Sequence, residues 1–267
     1  PNFHISHKDS YLTNIDSNFT AFVRKSFSDK VRIDEYNNSV YFIDNHFSQK
    51  ILDIENIALI DLGANIGLSS LSICSMLPNI KKVIGVEAEH ENFMVLSKNF
   101  KLWSETNYHT HNRIIDFIPI YSIASNADGF TNNVKVTSLS GGVSASGIFT
   151  FDLNSTSVKS SPPPSTIEHS SETISVNKIL DENLSDNELV IVKVDIEGGE
   201  SKIFESSFEW LHKTVYLSIE LHDAMGMPNS STNFLKAINK FDFAIVPRED
   251  VLHCFNRSLL KCDNNCF

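Results

Sequence analysis

Glycine and proline are scarce in this chain, ten and eight among 267 residues, which excludes a collagen-like or low-complexity protein. Four cysteines are too few for a disulfide scaffold. No apolar run approaches the roughly 18 residues that a membrane-spanning helix requires. The first residues also lack the basic, apolar, small-residue order of a signal peptide. Positive charge is in deficit: 22 Lys and Arg stand against 33 Asp and Glu, a formal net charge of -11. The basic residues are scattered, so a phosphate backbone is repelled and no nucleic-acid partner is expected. The chain begins at Pro1, as an excised piece does, and the compartment stays open, with the cytoplasm as the nearer reading.

What is present is the composition of a globular protein, 41% hydrophobic and 21% charged, at a length that suits one large domain with embellishments. Cys74 sits in an apolar helical pattern. Cys254, Cys262 and Cys266 cluster near the end with irregular spacing and read as reduced thiols, with one C-terminal disulfide as the alternative.

Residues 1–50 show no sustained period and read as an N-terminal extension, in which 31–43 is expected to form a hairpin about Asn37-Asn38. Residues 51–267 read as one domain, and from Asn56 the grammar changes. Residues 57–60 form a short, wholly apolar run, typical of a strand buried on both faces. Helical spacing follows over 66–77 and stops at Pro78, and 82–86 is a second apolar strand ending at Glu87. A helix over 90–102 and a strand over 114–120 continue the alternation. The stretch 154–171, rich in Ser and holding Pro162-Pro163-Pro164, reads as a surface loop inserted into the domain. Alternation then resumes with a strand at 188–194, a helix at 200–210, a strand at 215–221 and a helix at 232–240. Strands at 241–246 and 251–255 close it. This pattern predicts an α/β fold with a mostly parallel sheet, helices on both faces and an antiparallel finish.

Two segments carry chemistry. The first, Asp61-Leu62-Gly63-Ala64-Asn65-Ile66-Gly67, joins the first strand to the first helix, and its glycines are places where a ligand can approach backbone. Glu87 ends the next strand, where a carboxylate accepts hydrogen bonds from both hydroxyls of an adenosine ribose. The third glycine of a dinucleotide fingerprint is missing. An acidic residue two positions before the first glycine suits an ammonium-bearing donor such as S-adenosylmethionine better than a diphosphate, which weakens the case for a nicotinamide oxidoreductase. The second segment is Val192-Lys193-Val194-Asp195-Ile196-Glu197-Gly198-Gly199-Glu200, at the carboxyl end of the fourth strand, the edge on which open α/β sheets bind ligands. Asp195 is the active-site candidate there, and Glu200 reads either as a helix-start residue or as part of the site.

These residues resemble the FkbM-type S-adenosylmethionine-dependent methyltransferases. The 61–67 segment is similar to the family's first motif, and Glu87 with Asn92-Phe93, Leu96 and Asn99 to its Glu-Pro segment, although Ala88 replaces the usual proline. Lys193 to Glu200 resembles the family's Lys-x-Asp-x-Glu-Gly-x-Glu block, and Ile219-Glu220-Leu221-His222 its acidic-x-His strand end. The resemblance covers about 55–255. It implies a class I methyltransferase fold of seven strands, the last antiparallel, and O-methylation of a sugar, glycan or small-metabolite hydroxyl. The expected donor contacts are Asp61, Gly63, Ala64, Asn65, Gly67, Glu87, Asn92, Ser125 and Asp195. The expected catalytic set is His222 as a base of near-neutral pKa, with Asp195 or Glu197 orienting the acceptor.

Asp195, Glu197 and Glu220 offer hard oxygen ligands to magnesium or calcium, but hydroxyl binding is the preferred role for these carboxylates and no metal ligand is assigned. The segment 141–147 resembles a loop near the substrate region and reads equally as a hairpin tip. A protein or RNA methyltransferase and a non-catalytic S-adenosylmethionine-binding module remain as alternatives.

Overall fold

The computed structural model describes residues 7–16, 19–38, 45–110, 114–138, 147–151, 166–196, 198–223 and 229–261. It opens with an antiparallel ribbon, β1 (Tyr11–Asn14) and β2 (Thr20–Val23), followed by α1 (Phe27–Asn37) and α2 (Asn45–Leu52). The hairpin expected over 31–43 is thereby corrected. Ser26 caps a helix, its Oγ accepting from the Asp29 amide at 3.0 Å, and the helix runs through to Asn37 before the Asn pair can turn the chain.

Then come β3 (Ile57–Leu62), α3 (Leu68–Met76), β4 (Ile80–Glu87), α4 (His90–Thr110) and β5 (Asp116–Tyr121). All six residues of β3 are buried, as a strand covered on both faces must be. A second, four-stranded sheet is built from β6 (Ile123–Ser125), β7 (Gly129–Ser138), β8 (Gly147–Phe151) and β9 (Thr166–Ser175), in the order β6-β9-β7-β8. The Ser/Pro-rich stretch therefore divides: 154–165 lies outside the described residues, whereas 166–171 belongs to β9 and not to a loop. Of the 141–147 segment, 141–146 lies outside them as well.

The remaining elements are α5 (Val176–Asn183), β10 (Leu189–Val194), α6 (Glu200–Ile203), β11 (Thr214–Glu220), α7 (Ser230–Ile238), β12 (Phe243–Arg248) and β13 (Val251–Asn256). The helix expected over 200–210 stops at Ile203. Ser207 has a positive φ of 57°, and the chain re-forms as a 3-10 turn, Glu209–Lys213, that buries Trp210 and Leu211.

The main sheet has the order β12-β13-β11-β10-β3-β4-β5, parallel except for β13, which runs against both β11 and β12. Chain order reverses direction between β3 and β10, so their carboxyl ends open a crevice at a topological switch point. Register sets Lys193 beside Asp61 across that boundary.

Two cores cover the two faces. One joins Leu71, Phe100 and Trp103 to Ile15, Val23 and Phe47 of the N-terminal segment, and the other gathers Ile179, Phe204, Trp210 and Phe234. Trp103 Nε1 donates to the Thr20 carbonyl at 2.8 Å. The fully buried Asn99 amide donates to the carbonyls of Ile66 and Phe22, which fastens the N-terminal ribbon beside the first motif. Cys74 and Cys254 are buried, and Cys262 and Cys266 lie outside the described residues. Among the described residues no helix is long and apolar enough to cross a membrane.

Candidate active site

The loop after β3 is held against β4 by the amides of Gly63 and Ala64, which both donate to the Val86 carbonyl at 3.0 Å. Gly63 has a φ of +77°, and a Cβ there would lie 1.9 Å from the Asp195 carbonyl oxygen. Only glycine permits the two motif segments to touch. Gly67, with φ 90°, caps α3. The Asn65 amide donates to Glu87 Oε2 at 2.8 Å, and the Glu89 amide donates to Glu87 Oε1 at 2.8 Å.

Burial is the largest influence on Glu87 and, against these amides, pushes its pKa up to about 7. Asn92 hydrogen-bonds Glu87, and its Oδ1 accepts from Arg24 Nη2 at 2.6 Å. Arg24 is in turn locked to the fully buried Asp29. Asn65 Oδ1 is buried and has no hydrogen-bond partner among the described residues. A carboxylate and an orphaned amide oxygen side by side call for ligand donors, which the ribose hydroxyls and ammonium of S-adenosylmethionine supply. The residues present fit that donor.

Asp61, expected as a donor contact, is engaged by side chains of this chain. It is completely buried, its Oδ2 accepts from the hydroxyls of Ser69 and Ser70 at 2.7 Å each, and its Oδ1 meets Lys193 Nζ at 3.2 Å. The ammonium facing Asp61 thus comes from this chain, because register places Lys193 beside it and a buried carboxylate requires a cation. Ser125 ends β6, pairs with Ser175 of β9, and bonds Asn126 through its hydroxyl.

At the carboxyl end of β10, Lys193 Nζ also donates to the Gly63 carbonyl at 3.0 Å and lies 3.4 Å from Asp195 Oδ2. Arg32 of α1 reaches the same Oδ2 at 3.4 Å and pairs with Glu35 at 2.9 Å. Burial alone would raise the Asp195 pKa, but Lys193, Arg32 and His222 hold it below the usual range. His222 is buried between carboxylates: Nδ1 is 2.7 Å from Glu200 Oε1, and Nε2 is 3.4 Å from Glu220 Oε1 and 4.0 Å from Asp195 Oδ1. Burial would lower its pKa, yet the bonds to Glu200 and Glu220 and the charges of Glu200 and Asp195 push it up to about 11.

The near-neutral base expected at His222 is therefore corrected. An imidazolium that keeps its proton through the neutral range has no lone pair to accept another. Glu197 lies outside the described residues. Glu35 gains proton affinity, rising to about 7, chiefly from burial and despite Arg32 beside it; Asp195 and Glu220 raise it further and Lys193 lowers it.

The Methyltransferase FkbM domain matches residues 61–244. This chain belongs to the FkbM methyltransferase family. Among solved structures it is similar to the FkbM methyltransferase of Methylobacillus flagellatus KT, at 14% identity and a TM-score of 0.47 over 85% of this chain. The chain spans about half of that protein, 53%. It is also similar to M. jannaschii TYW2 solved with AdoMet (12% identity, TM-score 0.38, 92% of this chain and 83% of that one). A putative caffeoyl-CoA O-methyltransferase from Staphylococcus aureus matches at 12% identity and a TM-score of 0.37, over 86% and 91% of the two chains. No curated protein sequence matches the chain. With the family match, the seven-stranded sheet, parallel except for β13, gives the class I S-adenosylmethionine-dependent methyltransferase fold.

Several site residues escaped the sequence reading. Arg24, Arg32 and Glu35 precede the matched FkbM span and were hidden in the supposed extension. The signal that could have found them is Ser26-x-x-Asp29, a helix-start pattern that puts Arg32 and Glu35 one turn apart on α1. Glu200, readable as a mere helix-start residue, instead orients His222.

Proposed function

We propose that this chain transfers the methyl group of S-adenosylmethionine to a hydroxyl of a sugar, glycan or small polar metabolite. The observation that carries the reading is the contact of Gly63 with Asp195, which joins a nucleoside-ready pocket at Glu87 and Asn65 to a cluster of carboxylates suited to hydroxyls. The donor would lie along the 63–65 loop with its ribose on Glu87, and the acceptor would lie over Asp195 and Glu220. Methyl transfer is an in-line displacement. An acceptor oxygen lone pair forms the new O–C bond while the C–S bond breaks, sulfur keeps the bonding pair, and S-adenosylhomocysteine leaves. The hydroxyl proton passes to a carboxylate of the cluster, and Glu35, brought in by α1 and steadied by Arg32, is suited to take it.

Incubation of the protein with methyl-labelled S-adenosylmethionine and separate pools of monosaccharides, oligosaccharides, peptides and RNA tests the acceptor class. Label in an alkali-stable ether of a sugar or small alcohol is the expected product. Label only in peptide or RNA would overturn the hydroxyl reading while leaving methyl transfer intact.

A further inference from the structure

Asp195, at the carboxyl end of β10, and Glu220 and His222, at the end of β11, each bring one donor atom to within 4.8 Å of the others. We propose that these three residues form a divalent-cation site, of the kind that takes Mn2+, and that the ion holds the acceptor hydroxyl against the methyl donor. The second half of this proposal rests on the methyltransferase reading; the binding of the ion does not.

Nitrogen and oxygen donors about 2.1 Å from an ion, at right angles to each other, stand about 3 Å apart. His222 Nε2 lies 3.4 Å from Glu220 Oε1 and 4.0 Å from Asp195 Oδ1, and all three donor atoms lie within 4.8 Å of one another, so modest side-chain shifts close the set as the ion displaces the Nε2 proton to solvent. Each ligand is also aimed from behind. Glu200, fully buried, holds His222 Nδ1 at 2.7 Å and so turns Nε2 toward the other two, the carboxylate–histidine support typical of metal ligands. Lys193 and Arg32 both grip Asp195 through Oδ2, and it is Oδ1 that faces the imidazole. Glu220 is about one-third exposed, which leaves the outer side of the site open to an incoming hydroxyl.

Charge favours a dication as well. Among the described residues the carboxylates of Asp61, Asp195, Glu200, Glu220 and Glu35 outnumber the permanent cations beside them, Lys193 and Arg32, and the charge of His222 leaves with its proton when the ion binds. One imidazole with two carboxylates is a mixed donor set that suits Mn2+, Fe2+ or Zn2+ better than calcium, which prefers oxygen alone, or copper(I), which prefers sulfur. The other histidine-acid group among the described residues, His7, His90 and Glu91, is more open: His90 is 57% exposed and lies 3.7 Å from Glu91.

An ion on the Asp195 trio would lower the proton affinity of a coordinated hydroxyl, as it does for bound water. The hydroxyl proton leaves to Glu35, the oxygen attacks the methyl carbon, the C–S bond breaks toward sulfur, and the ion keeps its charge throughout.

The test is Mn2+ alone, titrated into the chelator-treated full chain and followed by the loss of the free-ion electron paramagnetic resonance signal. S-adenosylmethionine binding is measured in parallel by calorimetry. One saturable site is expected, weakened at least tenfold in both Glu220→Gln and His222→Gln and unchanged in His90→Ala. S-adenosylmethionine should bind Glu220→Gln as it binds the wild type, which shows that this variant is folded. Absence of saturable Mn2+ binding, or binding that survives Glu220→Gln and disappears in His90→Ala, overturns the proposal. If Mn2+ fails while S-adenosylmethionine binds, only the metal site falls. If Mn2+ binds as expected and S-adenosylmethionine does not, the ion site stands and the methyltransferase reading falls.

Discussion

If Glu87 holds the ribose as proposed, one buried side chain couples donor binding to pH. Burial lifts its pKa from 4.5 to about 7, so the folded protein binds a proton there that the unfolded chain has released. Its contribution to stability is full below pH 4.5 and is lost as pH rises through 7, because the folded state then carries an ionised carboxylate out of water. A ribose diol donates to the carboxylate form, so the donor prefers the ionised site. Affinity for S-adenosylmethionine should therefore fall about tenfold per pH unit below 7, with nearly one proton released on binding at pH 6. Calorimetry in two buffers of different ionisation enthalpy reads that proton directly, and Glu87→Gln should release none. The residues around Glu87 were only half legible. A carboxylate at a strand end after a glycine loop announces itself in sequence, whereas the amides of Asn65 and Glu89 and the Arg24–Asn92 relay that hold it come from distant segments. The partner of Asp61 was hidden for a related reason: Lys193 is 132 positions away and adjacent only through strand register.

At the scale of elements, α1 makes the difference between a donor pocket and a complete site. Its start is fixed by Ser26, and its body delivers Arg32 to Asp195 and Glu35 to the same cluster. Arg32→Ala should leave S-adenosylmethionine affinity unchanged, since Arg32 pairs with Asp195 and Glu35, whereas Glu87 is held by the Asn65 and Glu89 amides and by Asn92. It should slow turnover by about ten- to a hundredfold, the cost of misplacing an acceptor-side group. Steady-state kinetics with calorimetric donor binding checks both halves, and an equal loss in the two would deny α1 its acceptor-side role. Element types in the parallel sheet were readable because β3, β10 and β11 each carry a short apolar run that the sheet buries. α1 was not, because its polar sequence has no strong apolar stripe and Asn37-Asn38 mimics a turn. The short α6 was overextended because Phe208 and Trp210 continue a helical spacing that Ser207, at positive φ, interrupts.

For the whole molecule, the seven-stranded sheet is an instrument for bringing two strand ends together at one edge. The order β10-β3-β4 puts the glycine loop, Glu87 and Asp195 on one crevice, while β11 adds Glu220 and His222 beside them. That plan was visible in the alternation of strands and helices and in two motif blocks of the right spacing. The four-stranded second sheet was not, because β7 to β9 lie in a stretch whose Ser, Gly and Pro content reads as loop. The net charge of -11 agrees with a small polar acceptor better than with a polyanion. The account as a whole depends on the donor pocket being what it looks like. Calorimetric titration of the chain with S-adenosylmethionine, S-adenosylhomocysteine and NAD tests this without knowledge of the acceptor. Saturable binding of the first two, lost in Glu87→Ala, with no uptake of NAD, is the predicted result. Binding of NAD alone, or of none of the three, would contradict it.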